Sequence, residues 1–154
     1  MTDPASWPTG REIVLELPTD LGSIEHAVEY VIDRCEACAN YAHRFKFNFR
    51  VSLAEALSNA MMYGNGFDPE KRVRVEVTVR DGAVTARITD QGCGFDPSCV
   101  PDPTAPENLL KVGGRGLFLM RNLLDEVRFN DQGNSITLIL KLEEAPGLEG
   151  GVQA

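Results

Sequence analysis

Basic residues are scarce in this chain of 154 residues, which has 15 Lys and Arg against 23 Asp and Glu and a formal net charge of −8. Proteins that bind nucleic acid regardless of its sequence need Lys and Arg to replace phosphate counterions. The charge balance therefore argues against direct nucleic-acid binding and favours a protein or small-molecule partner.

Long hydrophobic runs are also absent. No stretch approaches the roughly 20 apolar residues that span a bilayer. The N-terminal segment MTDPASWPTG has neither the basic start nor the apolar run of a secretory signal. We expect a cytoplasmic protein with no membrane partner, and the ordinary balance of 43% hydrophobic and 25% charged residues is typical of one globular domain.

Cysteine is too sparse to indicate a clear metal or redox site. Cys35 and Cys38 form one C-x-x-C pair, but Cys93 and Cys99 are spaced too widely to be a matching second pair. Cys35 and Cys38 also continue an apolar stripe of helical spacing formed by Ile24, Val28 and Val31. This spacing favours core thiols over a metal or disulfide role.

The order of local signals predicts an α+β fold. We expect a strand over 11–18, a helix from a Ser23 cap to about residue 40, a second helix over about 49–64 and a third over 116–127. Alternating residues predict a β-hairpin around the Asp81-Gly82 turn and another over 127–142, with its turn near Gln132 and Gly133. This pattern favours a two-layer α/β sandwich with a mixed, largely antiparallel sheet and helices on one face.

The second expected helix carries a polar pair on one side. Its core stripe is Leu53, Ala56, Leu57, Ala60 and Gly64, and the opposite side is expected to carry Ser52, Glu55, Asn59 and Met62. Glu55 and Asn59 are four residues apart, so the carboxylate and the amide share a face. Taken alone, this pair fits a solvated helix surface equally well.

Two glycine-containing motifs follow. DQGCGF at 90–95 places an acid at a strand end, where it can accept a hydrogen bond from an exocyclic amine, and glycine allows a ring to approach the backbone. VGGRGLFLMRN places three glycines and Arg115 before a helix, where free N–H groups and the helix dipole favour phosphate. Alone, the first motif could be a turn and the second a helix cap.

Together and in this order, the motifs resemble the GHKL-type ATP-binding (Bergerat) fold of gyrase-type ATPases, heat-shock chaperones, histidine kinases and mismatch-repair ATPases. The E-x-x-x-N box is at Glu55 and Asn59, the D-x-G-x-G box at Asp90, Gly92 and Gly94, and the second glycine box at Gly113, Gly114 and Gly116. The short chain and GGRGLFLMRNLLDEV are most similar to the anti-sigma-factor serine/threonine kinases of bacterial partner-switching systems. The resemblance covers a domain over 11–142, with flexible termini over 1–10 and 143–154.

This resemblance implies ATP and Mg²⁺ as cofactors. Asn59 is similar to the Mg²⁺ ligand of the family, and Glu55 matches the general base that takes the proton of the attacking hydroxyl. Asp90 matches the adenine-reading acid, with Gly92 and Gly94 opening the wall beside it, and residues 96–112 would form a lid. The residues expected to hold the phosphate tail are Gly113, Gly114, Arg115, Gly116 and Leu117.

The resemblance implies phosphorylation of Ser or Thr on a small STAS-like anti-sigma-factor antagonist. It also implies binding of a sigma factor or similar regulator, and it is compatible with a homodimer. One alternative is a nucleotide-binding module with little or no kinase activity, and another is the catalytic half of a histidine kinase. Glu55 favours the serine/threonine kinase, because histidine kinases commonly have Asn there. Two elements depart from the family pattern: Tyr63 stands where many relatives have His, and Gly133-Asn134 where others have Gly-Thr.

Overall fold

Five strands form the sheet of this computed structural model, which describes residues 11–35, 45–92 and 114–142. The strands are β1 (Arg11–Pro18), β2 (Arg72–Arg80), β3 (Ala83–Thr89), β4 (Glu126–Phe129) and β5 (Ser135–Lys141). Their order is β1-β2-β3-β5-β4, with antiparallel pairing between all neighbours. The expected α+β sandwich is confirmed, and its sheet is antiparallel throughout the described strands rather than mixed.

Three α-helices lie in the described ranges: α1 (Ile24–Arg34), α2 (Arg50–Asn59) and α3 (Gly114–Leu123). A 3-10 turn (Leu21–Ser23) leads into α1, and π-helical turns (Phe45–Phe49 and Ala60–Gly64) precede and follow α2. The helix expected over about 49–64 is therefore confirmed, although only its first part is α-helical. α2 contacts α1, α3, β3 and β5, which places it at the centre of the helical layer.

Alternating valines in β2 determine which face of the sheet meets the helices. Val73, Val75, Val77 and Val79 are buried, whereas the residues between them are exposed or half-buried. These valines belong to one hydrophobic cluster that includes residues of all three helices, β3 and β5. Because successive strand residues point to opposite faces, the helices cover one face of the sheet and leave the other open.

The open face carries charges of alternating sign. Arg74 lies 3.5 Å from Glu16 on β1 and 3.5 Å from Glu76 on its own strand, and Arg87 of β3 lies 3.0 Å from Glu76. The Arg87 hydrogen bond, with help from Arg74, lowers the pKa of Glu76. The side chains of Arg74 and Arg87 are exposed, and ion pairs of exposed side chains contribute little to stability. This face is therefore a solvated surface.

Both predicted hairpins are confirmed. Asp81 and Gly82 have positive φ values of 53° and 74°, as a tight turn between β2 and β3 requires. In the β4–β5 turn, the Asn130 Oδ1 accepts hydrogen bonds from the backbone N–H groups of Gly133 (2.8 Å), Asn134 (3.1 Å) and Ser135 (3.2 Å). One side chain therefore organises the turn.

Two expected helix boundaries are wrong. α1 ends at Arg34, before the expected end at about residue 40. Its start directly after Ser23 is as expected, although the Ser23 hydroxyl donates to the carbonyl of Asp20 (2.7 Å) and does not cap the helix. α3 ends at Leu123, before the expected end at 127, because β4 begins at Glu126. The N–H of Asp125 already donates to the Ile139 carbonyl of β5 (3.0 Å), so strand pairing captures residues that have a helical pattern.

The expected position of Ser52 is also wrong. Its side chain is completely buried, whereas Glu55, Asn59 and Met62 are half-buried. α2 contacts both α1 and α3, and its polar side stays partly open along the strip that carries Glu55, Asn59 and Met62. Among the residues that the structure describes, the hydroxyl of Ser52 has no hydrogen-bond partner.

The core position expected for Cys35 is confirmed, because this thiol is fully buried at the end of α1. Cys38, Cys93 and Cys99 lie outside the described residues. In the described ranges, no three His, Cys, Asp or Glu side chains come together as a metal site would require. None of the helices described there is long and apolar enough to cross a bilayer.

Candidate nucleotide site

The centre of the candidate site is the open strip of α2. Glu55 and Asn59 lie one turn apart on this strip, and Ala56 and Leu57 on the other side of the helix pack into the core. Within the described part of the chain, neither the Glu55 carboxylate nor the Asn59 amide makes a hydrogen bond or ion pair. Both groups therefore remain available to a ligand.

A π-helical turn follows Asn59 directly. The N–H of Asn65 donates to the Ala60 carbonyl (2.7 Å), five residues back, and the N–H of Phe67 donates to the Met61 carbonyl (2.8 Å). Such turns are rare and are frequent at functional sites. Here the turn brings Gly64 and Asn65 to the end of β3.

Asp90 lies at that end, against Gly64. A Cβ atom at Gly64 would overlap the Asp90 carboxylate, and one at Gly92 would overlap the Gly64 carbonyl. The Asp90 Oδ1 accepts a hydrogen bond from the Gly92 N–H (2.8 Å), and the Asp90 N–H donates to the Asn134 carbonyl (2.9 Å). The D-x-G motif and the end of the α2 segment are therefore in direct contact, and glycine is required where they meet.

Burial raises the pKa of the Asp90 carboxyl, and this effect exceeds the opposing effects of the Gly92 hydrogen bond and the Lys71 charge. Its second oxygen, Oδ2, has no hydrogen-bond donor in the described part of the chain. A half-buried acid with a free acceptor and a perturbed pKa is typical of ligand sites. An exocyclic amine is a suitable donor for that oxygen.

The first turn of α3 meets α2 at Glu55. A Cβ atom at Gly116 would overlap the Glu55 carboxylate, so the glycine allows the carboxylate to lie against the backbone of α3. The half-buried side chain of Leu117 packs against the core. Gly94, Gly113, the expected lid over 96–112 and the side chain of Arg115 lie outside what the structure describes.

The sequence of the chain is similar to those of known proteins. The sequence model of one family, the histidine kinase-like ATPase domain, matches residues 16–140. The chain belongs to this family. Over 113 residues it is 22% identical to the serine-protein kinase RsbW of Listeria monocytogenes serotype 4a and to that of Listeria innocua, covering 69% of this chain and 72% of each relative. Over 91 residues it is 33% identical to the anti-sigma F factor of Geobacillus stearothermophilus, covering 56% of this chain and 61% of that protein.

Tyr63 and Asn134 are the two positions at which the sequence is expected to depart from the family pattern. Tyr63 is exposed, 40% of its surface being accessible. The Oδ1 of Asn134 accepts a hydrogen bond from the Asn130 amide (2.8 Å), so this oxygen is engaged within the β4–β5 turn. The Asn134 amide thus helps to hold the turn, while its backbone carbonyl holds Asp90.

Sequence reasoning missed two residues of the site in this ATPase domain. Gly64 is expected at the end of the second helix as part of its core stripe, yet it is also the surface against which Asp90 packs. Asn65 is buried, and its side chain contacts Gln91, the residue after Asp90. The one available signal is a polar Asn directly after a glycine at a helix end, which is also typical of an ordinary turn.

Proposed function

We propose that this chain is an ATP-dependent serine/threonine protein kinase. It transfers the γ-phosphoryl group of ATP to a small antagonist protein and sequesters a sigma factor or a similar regulator. The observation that carries this proposal is the position of Glu55, whose unpaired carboxylate lies one helical turn from Asn59 and against the first turn of α3.

The residues present fit an adenine nucleotide. Neither Gly64 nor Gly92 has room for a Cβ atom. The Asp90 carboxylate packs against Gly64 and accepts a hydrogen bond from the Gly92 N–H, and its second oxygen is a free acceptor in the described part of the chain. Asp90 would accept a hydrogen bond from the adenine amino group. The O6 of guanine is an acceptor, so guanine would leave the second Asp90 oxygen, Oδ2, without a donor.

The residues present also fit a hard cation beside the phosphates. The Asn59 side chain offers an amide oxygen, which is a suitable ligand for Mg²⁺ when phosphate oxygens and water complete the coordination. When bound, Mg²⁺ would neutralise charge on the phosphates during transfer.

Glu55 would act on the substrate hydroxyl. Its carboxylate accepts the proton while the hydroxyl oxygen forms the new bond to phosphorus, and ADP leaves with the electrons of the broken bond. Gly116 leaves space for that carboxylate beside the N-terminal turn of α3, where backbone N–H groups and the helix dipole favour phosphate. The chain thus contributes mainly positioning and electrostatic stabilisation.

The names of the relatives support the same assignment. One is a serine-protein kinase and another an anti-sigma factor, which fits an enzyme that also binds a transcription regulator. The formal net charge of −8 agrees with partners that are proteins rather than nucleic acid.

The test combines phosphotransfer with calorimetry. The wild-type protein, Glu55→Gln, Asn59→Ala and the control Glu25→Gln, an exposed carboxylate on α1, are incubated with γ-labelled ATP, Mg²⁺ and lysate of the source organism. Glu55→Gln should lower labelling of a small protein by about 10² to 10⁴ and keep ATP affinity. Asn59→Ala should weaken Mg²⁺-dependent ATP binding itself.

The outcomes separate the three activities. Acid-stable label that depends on Glu55 supports the serine/threonine kinase, whereas acid-labile label indicates phosphohistidine and contradicts it. ATP binding without any transfer by the wild-type protein indicates a nucleotide-binding module. Transfer that is insensitive to Glu55→Gln refutes the general-base assignment.

A further inference from the structure

Asn65 is a buried amide that joins three separate segments of the chain. Only 3% of its surface is exposed. Its Nδ2 donates to the Thr19 Oγ1 (2.9 Å) and to the Arg72 carbonyl (3.1 Å), while its Oδ1 accepts from the Gln91 N–H (2.8 Å). The side chain thus uses both donor hydrogens and its acceptor in contacts that include the residue after Asp90.

The bond to Gln91 acts on the acid of the candidate site. Gln91 lies between Asp90 and Gly92, and the Gly92 N–H is the donor that holds the Asp90 Oδ1. The Gln91 side chain reinforces this arrangement, since its Oε1 accepts from the Arg72 N–H (2.6 Å). Residues 90–92 are therefore held at two points by hydrogen bonds that involve Asn65 or its partner Arg72.

Packing restricts the same segment from the other side. Gly64, the neighbour of Asn65, contacts Asp90 and Gly92 so closely that neither glycine can carry a Cβ. A hydrogen bond from Asn65 and a steric contact from Gly64 therefore fix one short segment together. Such fixed geometry matters because a ligand-binding group loses selectivity when its supporting contacts allow it to turn.

We propose that Asn65 is a positioning residue that fixes the direction of the Asp90 carboxylate and thereby sets the preference of the site for adenine over guanine. This inference rests on the proposed function, in which Asp90 reads the base. A merely structural amide would affect folding stability and the binding of both nucleotides alike. A positioning residue changes the ratio of the two affinities.

Calorimetry with ATP and GTP tests this difference in wild type, Asn65→Ala, Asn65→Asp and the control Asn48→Ala. Asn48 is a matched control because its Nδ2 also donates to a backbone carbonyl, that of Leu123 (2.9 Å), away from Asp90. Asn65→Ala should reduce the ATP-to-GTP affinity ratio at least about tenfold, and Asn48→Ala should leave the ratio unchanged. Asn65→Asp retains an acceptor for Gln91 and should keep most of the ratio despite lower stability.

The outcomes distinguish this inference from the proposed function. Equal affinity of the wild-type protein for ATP and GTP overturns the base-reading role of Asp90 and this inference with it. A selective wild type whose ratio survives Asn65→Ala within twofold overturns the role of Asn65 alone. If Asn65→Ala does not fold, hydrogen exchange of the wild-type protein decides: the Gln91 N–H should be protected with ATP bound, and rapid exchange there overturns the inference.

Discussion

The carboxylate of Glu55 on α2 lies against the backbone of Gly116 in the first turn of α3. Two helices that are distant in the sequence therefore meet at the proposed base. The contact depends on the missing side chain of Gly116, since any Cβ there would occupy the space of the carboxylate.

Gly116→Ala should separate base positioning from folding. The methyl group would push the Glu55 carboxylate aside, and misplacing a catalytic group by about 1 Å can lower the rate about 10²-fold. Stability should change little, because the group that must move is the end of a half-buried side chain. Phosphotransfer and thermal unfolding are measured together, with Gly22→Ala as the control, since a Cβ at Gly22 would lie 3.4 Å from the Asp20 carboxylate, an ordinary contact. Unchanged transfer by Gly116→Ala would contradict the role of this contact.

Gly92→Ala should instead destabilise the protein. Its Cβ would overlap the Gly64 carbonyl, which is backbone and cannot rotate away, so the 90–92 segment must shift. Overpacking of this kind costs about 1 to 3 kcal/mol. Urea unfolding against the same Gly22→Ala control measures the loss, and ATP affinity should fall with it. A Gly92→Ala protein as stable as wild type would show that the two motifs are not in close contact.

Asp90→Asn should stabilise the ligand-free protein at neutral pH and weaken ATP binding. The pKa of Asp90 is raised by burial, so the folded state holds this proton more tightly than the unfolded state. The resulting stability is fully present below the unfolded pKa and is lost as pH rises through the folded pKa. Asn cannot ionise, so the advantage of Asp90→Asn in unfolding free energy should grow over that pH range. Urea unfolding at a series of pH values measures it, and an advantage that does not vary with pH would refute the burial effect.

Ser52→Ala should increase stability by about 1 kcal/mol. The Ser52 hydroxyl is fully buried and has no hydrogen-bond partner in the described ranges of the chain. Leaving such a group unpaired costs about 1 to 3 kcal/mol. The small cavity left by the oxygen offsets part of the gain. Ser58→Ala, on the same helix, is the control because its half-buried hydroxyl contacts the Met62 sulfur (3.5 Å). A loss of stability in Ser52→Ala would indicate a partner for this hydroxyl.

Local sequence patterns predicted the secondary-structure elements that depend only on residues close together in the chain. The β2–β3 hairpin follows from alternating valines and the Asp81-Gly82 turn, and the shared face of Glu55 and Asn59 follows from their spacing. The end of α3 could not be predicted in this way. It depends on the hydrogen bond from Asp125 to Ile139, a residue of β5 whose pairing is decided by the whole sheet.

The same distinction holds within the candidate site. The sequence places an acid at a strand end and a glycine at a helix end, but it does not reveal that Asp90 and Gly64 touch. Nor does it show that Gly116 makes room for Glu55. These contacts join segments separated by other elements, so only the folded chain brings them together. The burial of Ser52 was missed for the same reason, since it depends on how α2 packs against other elements of the fold.

The π-helical turn at Ala60–Gly64 makes the site tolerant of a change in segment length at one place in the chain. A π-turn contains one more residue than the α-helical turn it replaces, so deletion of one residue here would leave a continuous α-helix. Gly64 would still face Asp90, because the α-helical turn closes with one residue fewer. The same deletion between Glu55 and Asn59 lies within α2, where it would rotate the two side chains relative to each other by about 100° around the helix axis. A descendant that loses a residue between its Asn and its Gly would therefore keep the candidate site in register, whereas one that loses a residue within α2 would not.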